Sequence, residues 1–360
     1  MKISAKTNDI RRTTMRFLTK NIGSSRKIEN KIIEDPNSIK QILICRPNAR
    51  LGNLLLITPL IKEVSAAFPN AQIDLFVKGG LMPVILKNYS QIGEIIILPK
   101  RPFKSLLAYL KVWLKIERKK YDIAINVDKE SSSGRLAVEL SHASFKFYGD
   151  DLNENGIKAE DYPHIAKYPV YNFRDFLKSI SLKSSDEPIP ETDLLLSETE
   201  LADGRKILSG KFDNKKKTIA IFTYATGDKC FSEFWWTDFY KLLKIKYERD
   251  YNILEILPVE NISKIGFKAT SFYSKDIREI GSVLASTVLF IGGDSGIMHL
   301  ASAAHIPTVG LFSVSNLQKY EPYGYNSHGT DTNTIISKNQ YIVIIDGILV
   351  RKTSIAIKKL

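Results

Sequence analysis

The stretch Val288–Ala304, VLFIGGDSGIMHLASAA, restricts the possible folds more than any other part of the chain. Val288–Ile291 is a short unbroken apolar run, the pattern of a strand buried on both faces of a parallel sheet. Gly292, Gly293, Asp294, Ser295 and Gly296 follow as a tight turn of small residues. Ile297, Leu300, Ala301 and Ala304 then fall at i, i+3, i+4 and i+7, which predicts an amphipathic helix with Asp294 or Ser295 as its N-cap. A strand, a glycine-rich turn and a helix N-terminus together form an anion cradle. The glycines admit a ligand to the backbone, the first amides point outward, and the helix dipole favours negative charge. His299 lies near the start of that helix and adds a donor. An ordinary βα corner with an N-cap would use the same residues, so the rest of the chain has to decide.

Strand and helix patterns alternate on both sides of this corner. Gln41–Arg46, Ile73–Val77, Ile95–Leu98, Asp122–Val127 and Phe145–Tyr148 read as strands. Helical spacing covers Leu54–Phe68, interrupted at Pro59, then Phe103–Lys119 and Ser131–Leu140. Gly52 supplies backbone freedom at the first strand-to-helix turn. Asn172–Ile180 is helical, and Ser181–Thr192, with Pro188 and Pro190, reads as a linker. The pattern restarts with a strand at Thr218–Phe222, a helix at Trp236–Lys246, a strand at Ile253–Leu257 and a helix at Asp276–Ser286. Ile306–Phe312 is the strand after the opening motif. Such alternation means doubly wound parallel sheets, one in each half. The expected division is a basic extension at 1–40, one domain at 41–185, a second at 186–335, and a segment at 336–360 that alternates apolar and polar residues.

Composition narrows the function. Lys and Arg number 52 against 39 Asp and Glu, a net charge of +13. That excess fits nucleic acid, anionic lipid or phosphorylated substrates. No zinc-finger spacing, RNP-like motif or heptad array accompanies it, which disfavours nucleic acid. The absence of Gly-x-Gly-x-x-Gly after a strand argues against a nicotinamide dehydrogenase, and Gly-x-x-x-x-Gly-Lys-Ser/Thr is missing too. Cys45 and Cys230 fit no metal-ligand spacing and read as reduced thiols. No apolar run reaches membrane-spanning length and the basic N-terminus lacks an apolar signal core, so a cytoplasmic location is expected. A short helix near Ile10–Ile22 is a candidate for peripheral contact with the inner membrane.

The run GGDSGIMHLASAAHIPTVGLF…YEPYG resembles the nucleotide-sugar-binding region of the heptosyltransferase-like glycosyltransferases, family 9. Its Asp-x-Gly-x-x-His element matches at Asp294, Gly296 and His299. A second resemblance lies at ILICRPNARLGNLLLITPLIKEVSAAFPNAQIDLFV, where Arg50, Leu51, Gly52, Thr58, Pro59, Leu60, Phe68 and Pro69 match that family's first βα unit. The resemblance implies a GT-B fold, two Rossmann-like domains facing an interdomain cleft. It also implies metal-independent, inverting transfer of a sugar, heptose from ADP-heptose among the candidates, to a lipopolysaccharide core or related anionic glycan. On this reading the nucleotide sugar is a substrate, and no cofactor or metal is required.

The resemblance also distributes roles. Gly293, Asp294, Ser295, Gly296 and His299 would hold the donor. Lys229, in ATGDKCFSEFWW, resembles the family's lysine after the first strand of the nucleotide domain, although the gap to Trp235 and Trp236 is longer here. Thr223, Thr226 and Gly227 share that loop, and Glu260 is the candidate for the ribose hydroxyls. Arg46, Arg50 and Gly52 would face the acceptor. The departure is Asn53, which stands where the family pattern has an aspartate proposed as general base. An amide cannot accept a proton at neutral pH. Three alternatives stay open: another carboxylate, Asp128 or Glu130; a substrate phosphate or water; or a noncatalytic protein that binds nucleotide sugars or glycans without turnover.

Overall fold

A computed structural model describes residues 23, 32–99, 106–153, 156–212, 215–334 and 337–357, with 351–357 described as backbone only. The expected helix near Ile10–Ile22 lies outside the described residues. The chain forms two units. One comprises Met1–Ala49, Pro59–Tyr162 and Ala166–Pro190; the other comprises Arg50–Thr58, Pro163–Ile165 and Glu191–Leu360.

In chain order the first half contains β1 (Gln41–Arg46), α1 (Leu51–Leu55), α2 (Thr58–Ala67), β2 (Gln72–Lys78), α3 (Met82–Ile85) and β3 (Ile92–Leu98). It continues with α4 (Leu106–Arg118), β4 (Ile123–Asn126), α5 (Ser132–Leu140), β5 (Phe145–Phe147) and α6 (Tyr168–Ser179). Its five strands are ordered β3-β2-β1-β4-β5 and every neighbouring pair is parallel. The central strands β1 and β4 are almost wholly buried, which is why they are continuous apolar runs rather than alternating ones. One layer of the core packs Leu43, Cys45, Phe76, Ile96 and Ala124 of the sheet against Ile116, Ala137 and Val138 of the helices.

The helical pattern beginning at Leu54 is two helices, α1 and α2, broken at Leu56–Ile57 just before Pro59. A proline fits the first turn of a helix, where its missing N–H would be unpaired anyway, and not the interior. The break also marks a change of partner. Residues Arg50–Thr58, which the sequence reading puts in the first domain, pack with the second unit.

The second half contains α7 (Glu198–Ser209), β6 (Lys217–Phe222), α8 (Glu233–Tyr247), β7 (Tyr251–Ile256), β8 (Thr270–Phe272) and α9 (Ile277–Ala285). It ends with β9 (Leu289–Gly293), α10 (Gly296–Ala303), β10 (Thr308–Phe312), α11 (Leu317–Tyr320), β11 (His328–Asp331) and α12 (Asn339–Ile357). Six parallel strands run β11-β10-β9-β6-β7-β8. The terminal segment with alternating apolar and polar residues forms the helix α12. Its Tyr341, Ile345 and Ile348 are buried in one cluster with Phe239, Leu243 and Tyr247 of α8. Helix α7 is absent from the sequence reading, although its signal is present. Ser197 and Glu200 form a capping box, each side chain bonding the other's backbone N–H. The edge strands β8 and β11 also escape a pattern reading, because TSF and HGTD carry no apolar run.

Candidate functional site

In open parallel sheets, ligands bind at the carboxyl ends of strands where the strand order reverses. In the first sheet β1 lies between β2 and β4, so the reversal falls between β1 and β4. In the second β6 lies between β7 and β9, so it falls between β6 and β9. Each switch point carries an ion pair.

At the first, Arg46 closes β1 and Asp128 follows β4. Arg46 Nη1 donates to Asp128 Oδ2 at 3.0 Å. The other carboxylate oxygen accepts the backbone N–H of Glu130 at 3.1 Å. Buried Asn126 secures the loop by donating from Nδ2 to the carbonyls of Asp128 (2.7 Å) and Tyr148 (2.9 Å). The Arg46 side chain is 4% exposed and that of Asp128 37%. The Arg46 guanidinium is therefore engaged on Asp128 rather than open to solvent, and its Nε finds no acceptor among the described residues. Glu130 is exposed and contributes its backbone to this turn.

At the second switch point, Asp294 follows β9 directly and Lys229 ends the short 3-10 turn Gly227–Lys229 after β6. Lys229 Nζ donates to Asp294 Oδ2 and lies 5.8 Å from the Tyr320 ring. Here the carboxylate is 7% exposed and the ammonium 39%. Ser295 is the N-cap of α10, its hydroxyl accepting the N–H of Met298 at 3.2 Å. That leaves the amides of Gly296 and Ile297 as the helix's first donors, which no intrahelical carbonyl can serve. Gly293 is buried beside Ala225 and the Lys229 carbonyl.

His299 faces this cluster from inside α10. It is 4% exposed, and its Nδ1 has no partner among the described residues. Burial pushes its pKa down to about 4; Asp294 acts the other way, while His164 and Lys229 add to the depression. The imidazole is consequently neutral at pH 7, one nitrogen a donor and the other an acceptor. His164, an isolated histidine to sequence reasoning, is 1% exposed, and its Nε2 donates to the Glu321 carbonyl at 2.9 Å. Only the folded chain brings these two histidines, far apart in sequence, close enough to interact.

Helix α1 is closely fitted to α10. A Cβ on Gly52 would lie 2.5 Å from His299 Cδ2, and one on Gly296 would lie 3.0 Å from Leu51 Cβ. The glycine at 52 thus serves close packing on the histidine ring, not the backbone freedom expected of it; its φ is an ordinary helical one. Asn53 is the next residue of α1 and is half-buried. Arg50 is the exposed N-cap residue of α1.

Three residues expected at the donor differ in their surroundings. Thr223 is 2% exposed; its hydroxyl donates to Glu255 at 2.6 Å and accepts the N–H of Lys264 at 3.1 Å, so it ties two loops together. Thr226 is exposed, and its side chain makes no cap bond. Glu260 is exposed on the turn after β7. The buried acid of that strand is Glu255, which also accepts from Ser263 at 2.7 Å, and whose carboxyl burial holds above its usual range. Gly227 does adopt a left-handed φ of 66°, the conformation glycine tolerates best.

Comparison with known proteins agrees with the fold. A family 9 glycosyltransferase from Veillonella parvula superposes with a TM-score of 0.69, at 17% identity, covering 87% of this chain and 97% of that one. The Escherichia coli heptosyltransferase WaaC, solved with ADP, superposes with a TM-score of 0.62 at 17% identity, covering 86% and 99%. Two Rossmann-like units with these relatives define the GT-B class of fold. The model for glycosyltransferase family 9 (heptosyltransferase) matches residues 270–340. Lipopolysaccharide heptosyltransferase 3 of E. coli is 23% identical over 299 residues, 76% of this chain and 83% of that protein. The chain is similar to the glycosyltransferases of family 9, the heptosyltransferase-like kind, in fold and across residues 270–340.

Proposed function

We propose that the second unit binds the diphosphate of an ADP-linked sugar, heptose being the candidate, and that the sugar passes with inversion to a lipopolysaccharide-core type of acceptor whose hydroxyl is served by Asp128 of the first unit. The observation that carries this reading is the cluster at the second switch point. Lys229 presents a cation there, α10 presents the amides of Gly296 and Ile297, and His299 is a neutral ring buried against them.

Sugar transfer breaks the bond from the anomeric carbon to the diphosphate while the acceptor oxygen bonds to that carbon. Negative charge grows on the departing diphosphate. Preorganised amides and a cation stabilise it without reorganisation. The acceptor hydroxyl's proton needs a base, and Asn53 cannot take it. Asp128 is our choice: each of its oxygens has one partner, and a carboxylate oxygen accepts about two hydrogen bonds. Binding without turnover is a second reading, which Asn53 favours.

Calorimetry with ADP, UDP, GDP and CMP tests the donor site. ADP should bind preferentially, with affinity lost in His299→Ala; no binding by any nucleotide overturns it. Turnover of ADP-heptose then tests the base. Asp128→Asn should lower kcat about a hundredfold, the usual contribution of a general base, with ADP affinity unchanged. If Asn53→Asp is instead needed for any turnover, the second reading stands.

A further inference from the structure

Helix α4 has two apolar faces, and the first unit uses only one. Tyr109, Val112 and Trp113 pack on the core around buried Ile116, with the Trp113 ring 5.3 Å from that of Phe76. Leu106, Leu107, Leu110 and Leu114 point away and are 58%, 77%, 56% and 44% exposed. At 100° per residue these four leucines fall within one arc of about 100°. Next around the helix come Arg118, Lys111 and Lys115, all exposed. One acid, Glu117, shares the arc, at its C-terminal end.

Single exposed leucines are common, but a contiguous apolar face with a polar rim marks an interaction surface. The rim identifies the partner. Lys111 and Arg118 have no ion pair among the described residues, while Lys115 pairs with Glu94 and Lys119 with Asp74, which fixes the C-terminal end of the helix on the sheet. A second copy of the chain would set this basic rim against itself. An anionic bilayer accepts both features at once: leucines enter the boundary between headgroups and acyl chains, and cations lie on lipid phosphates. Among the described residues no helix is long and apolar enough to cross a membrane, and α4 has only 13 residues, so it would lie in the membrane plane. As the helix after β3, α4 begins at the carboxyl edge of the first sheet, the edge that carries Arg46 and Asp128.

We propose that this leucine face of α4, with Lys111, Lys115 and Arg118 beside it, seats the protein on an anionic lipid surface. The inference goes beyond sugar transfer and requires no donor. It is tested by sedimenting the full-length protein with phosphatidylcholine vesicles, with and without phosphatidylglycerol. Wild type should sediment with the anionic vesicles, less so at high salt, and not with the neutral ones. Leu107→Glu with Leu110→Glu should reduce binding at least tenfold, and Lys111→Glu with Arg118→Glu should reduce it on anionic vesicles, both with an unchanged melting temperature. ADP titration of the same samples reports the donor site separately, so failure of one reading is distinguishable from failure of the other. The inference is overturned if wild type ignores anionic vesicles. It is also overturned if the leucine variant binds like wild type, which would locate the contact elsewhere. A vesicle-free dimer that the leucine substitutions dissolve would overturn it as well, by making the face a contact between copies.

Discussion

The two switch points are built alike and charged in opposite senses. Each joins a cation to a carboxylate across the two strands where the order reverses. In the first unit the cation is buried and the carboxylate partly exposed, 4% for Arg46 against 37% for Asp128. In the second the carboxylate is buried and the cation exposed, 7% for Asp294 against 39% for Lys229. A buried charge is held by its partner, and the exposed partner is what a ligand meets. One sheet therefore offers a carboxylate, suited to hydroxyls and their protons, and the other an ammonium, suited to phosphates. The same architecture presents two opposite charges because a single pair is turned over.

Four experiments can break or sharpen this contrast. The largest effect concerns pH. His299 is neutral in the folded protein down to about pH 4, whereas in the unfolded chain it protonates near 6.5. Between those values the unfolded state binds more protons, so stability falls as pH drops from 6.5 toward 4 and levels off below. The loss is on the order of 3 kcal/mol. Urea titrations of wild type and His299→Gln at pH 7 and pH 4 should show it, and equal pH dependence in both proteins would refute the assignment.

Next, Lys229→Met strands the buried Asp294. It should weaken ADP binding ten- to a hundredfold and destabilise the chain by about 2 kcal/mol, reduced from the fully buried case because the lysine is partly solvated. Arg46→Met leaves Asp128 reachable by water and should leave ADP affinity within about twofold. Equal losses in calorimetry would remove the contrast between the pairs.

Gly52→Ala comes third, at about 1–3 kcal/mol, because the new methyl has no room beside the His299 ring. Gly80 has nothing within 4 Å of its Cβ position, so Gly80→Ala should stay within about 0.5 kcal/mol. Thermal unfolding of the pair separates close packing from glycine's general effect.

The smallest effects are at the caps. Ser131 accepts the N–H of Gly134 at 3.2 Å, and Ser295 that of Met298 at 3.2 Å. Replacing either by Ala should cost about 1 kcal/mol in denaturant titrations. Only Ser295→Ala should also lower ADP affinity, by severalfold; an equal nucleotide effect from Ser131→Ala would place nucleotide chemistry in both units.

Much of the fold is legible in the sequence where the information is local. Apolar runs mark the buried strands, Pro59 marks the helix break, and the turn from Gly292 to Gly296 with its serine cap marks a βα corner. The capping box at Ser197 and Glu200 is equally local, although the pattern reading passes over it. Thr223 differs from expectation for another reason. Residue type and position after a strand say that a hydroxyl or acid stands near the edge, but not whether a neighbour has already engaged it, as Glu255 and Lys264 engage Thr223.

Two doubly wound parallel halves and a glycine-rich, serine-capped βα corner are already written in the sequence, because periodicity, glycine turns and caps act over a few residues. The tertiary structure decided which distant side chains meet. It set His164 near His299, seated Gly52 on the histidine ring, and joined Arg46 to Asp128 and Lys229 to Asp294 with reversed burial. Those choices depend on which strands become neighbours and on how deep each side chain lies. Burial depth is a property of the packed whole, and no local pattern records it.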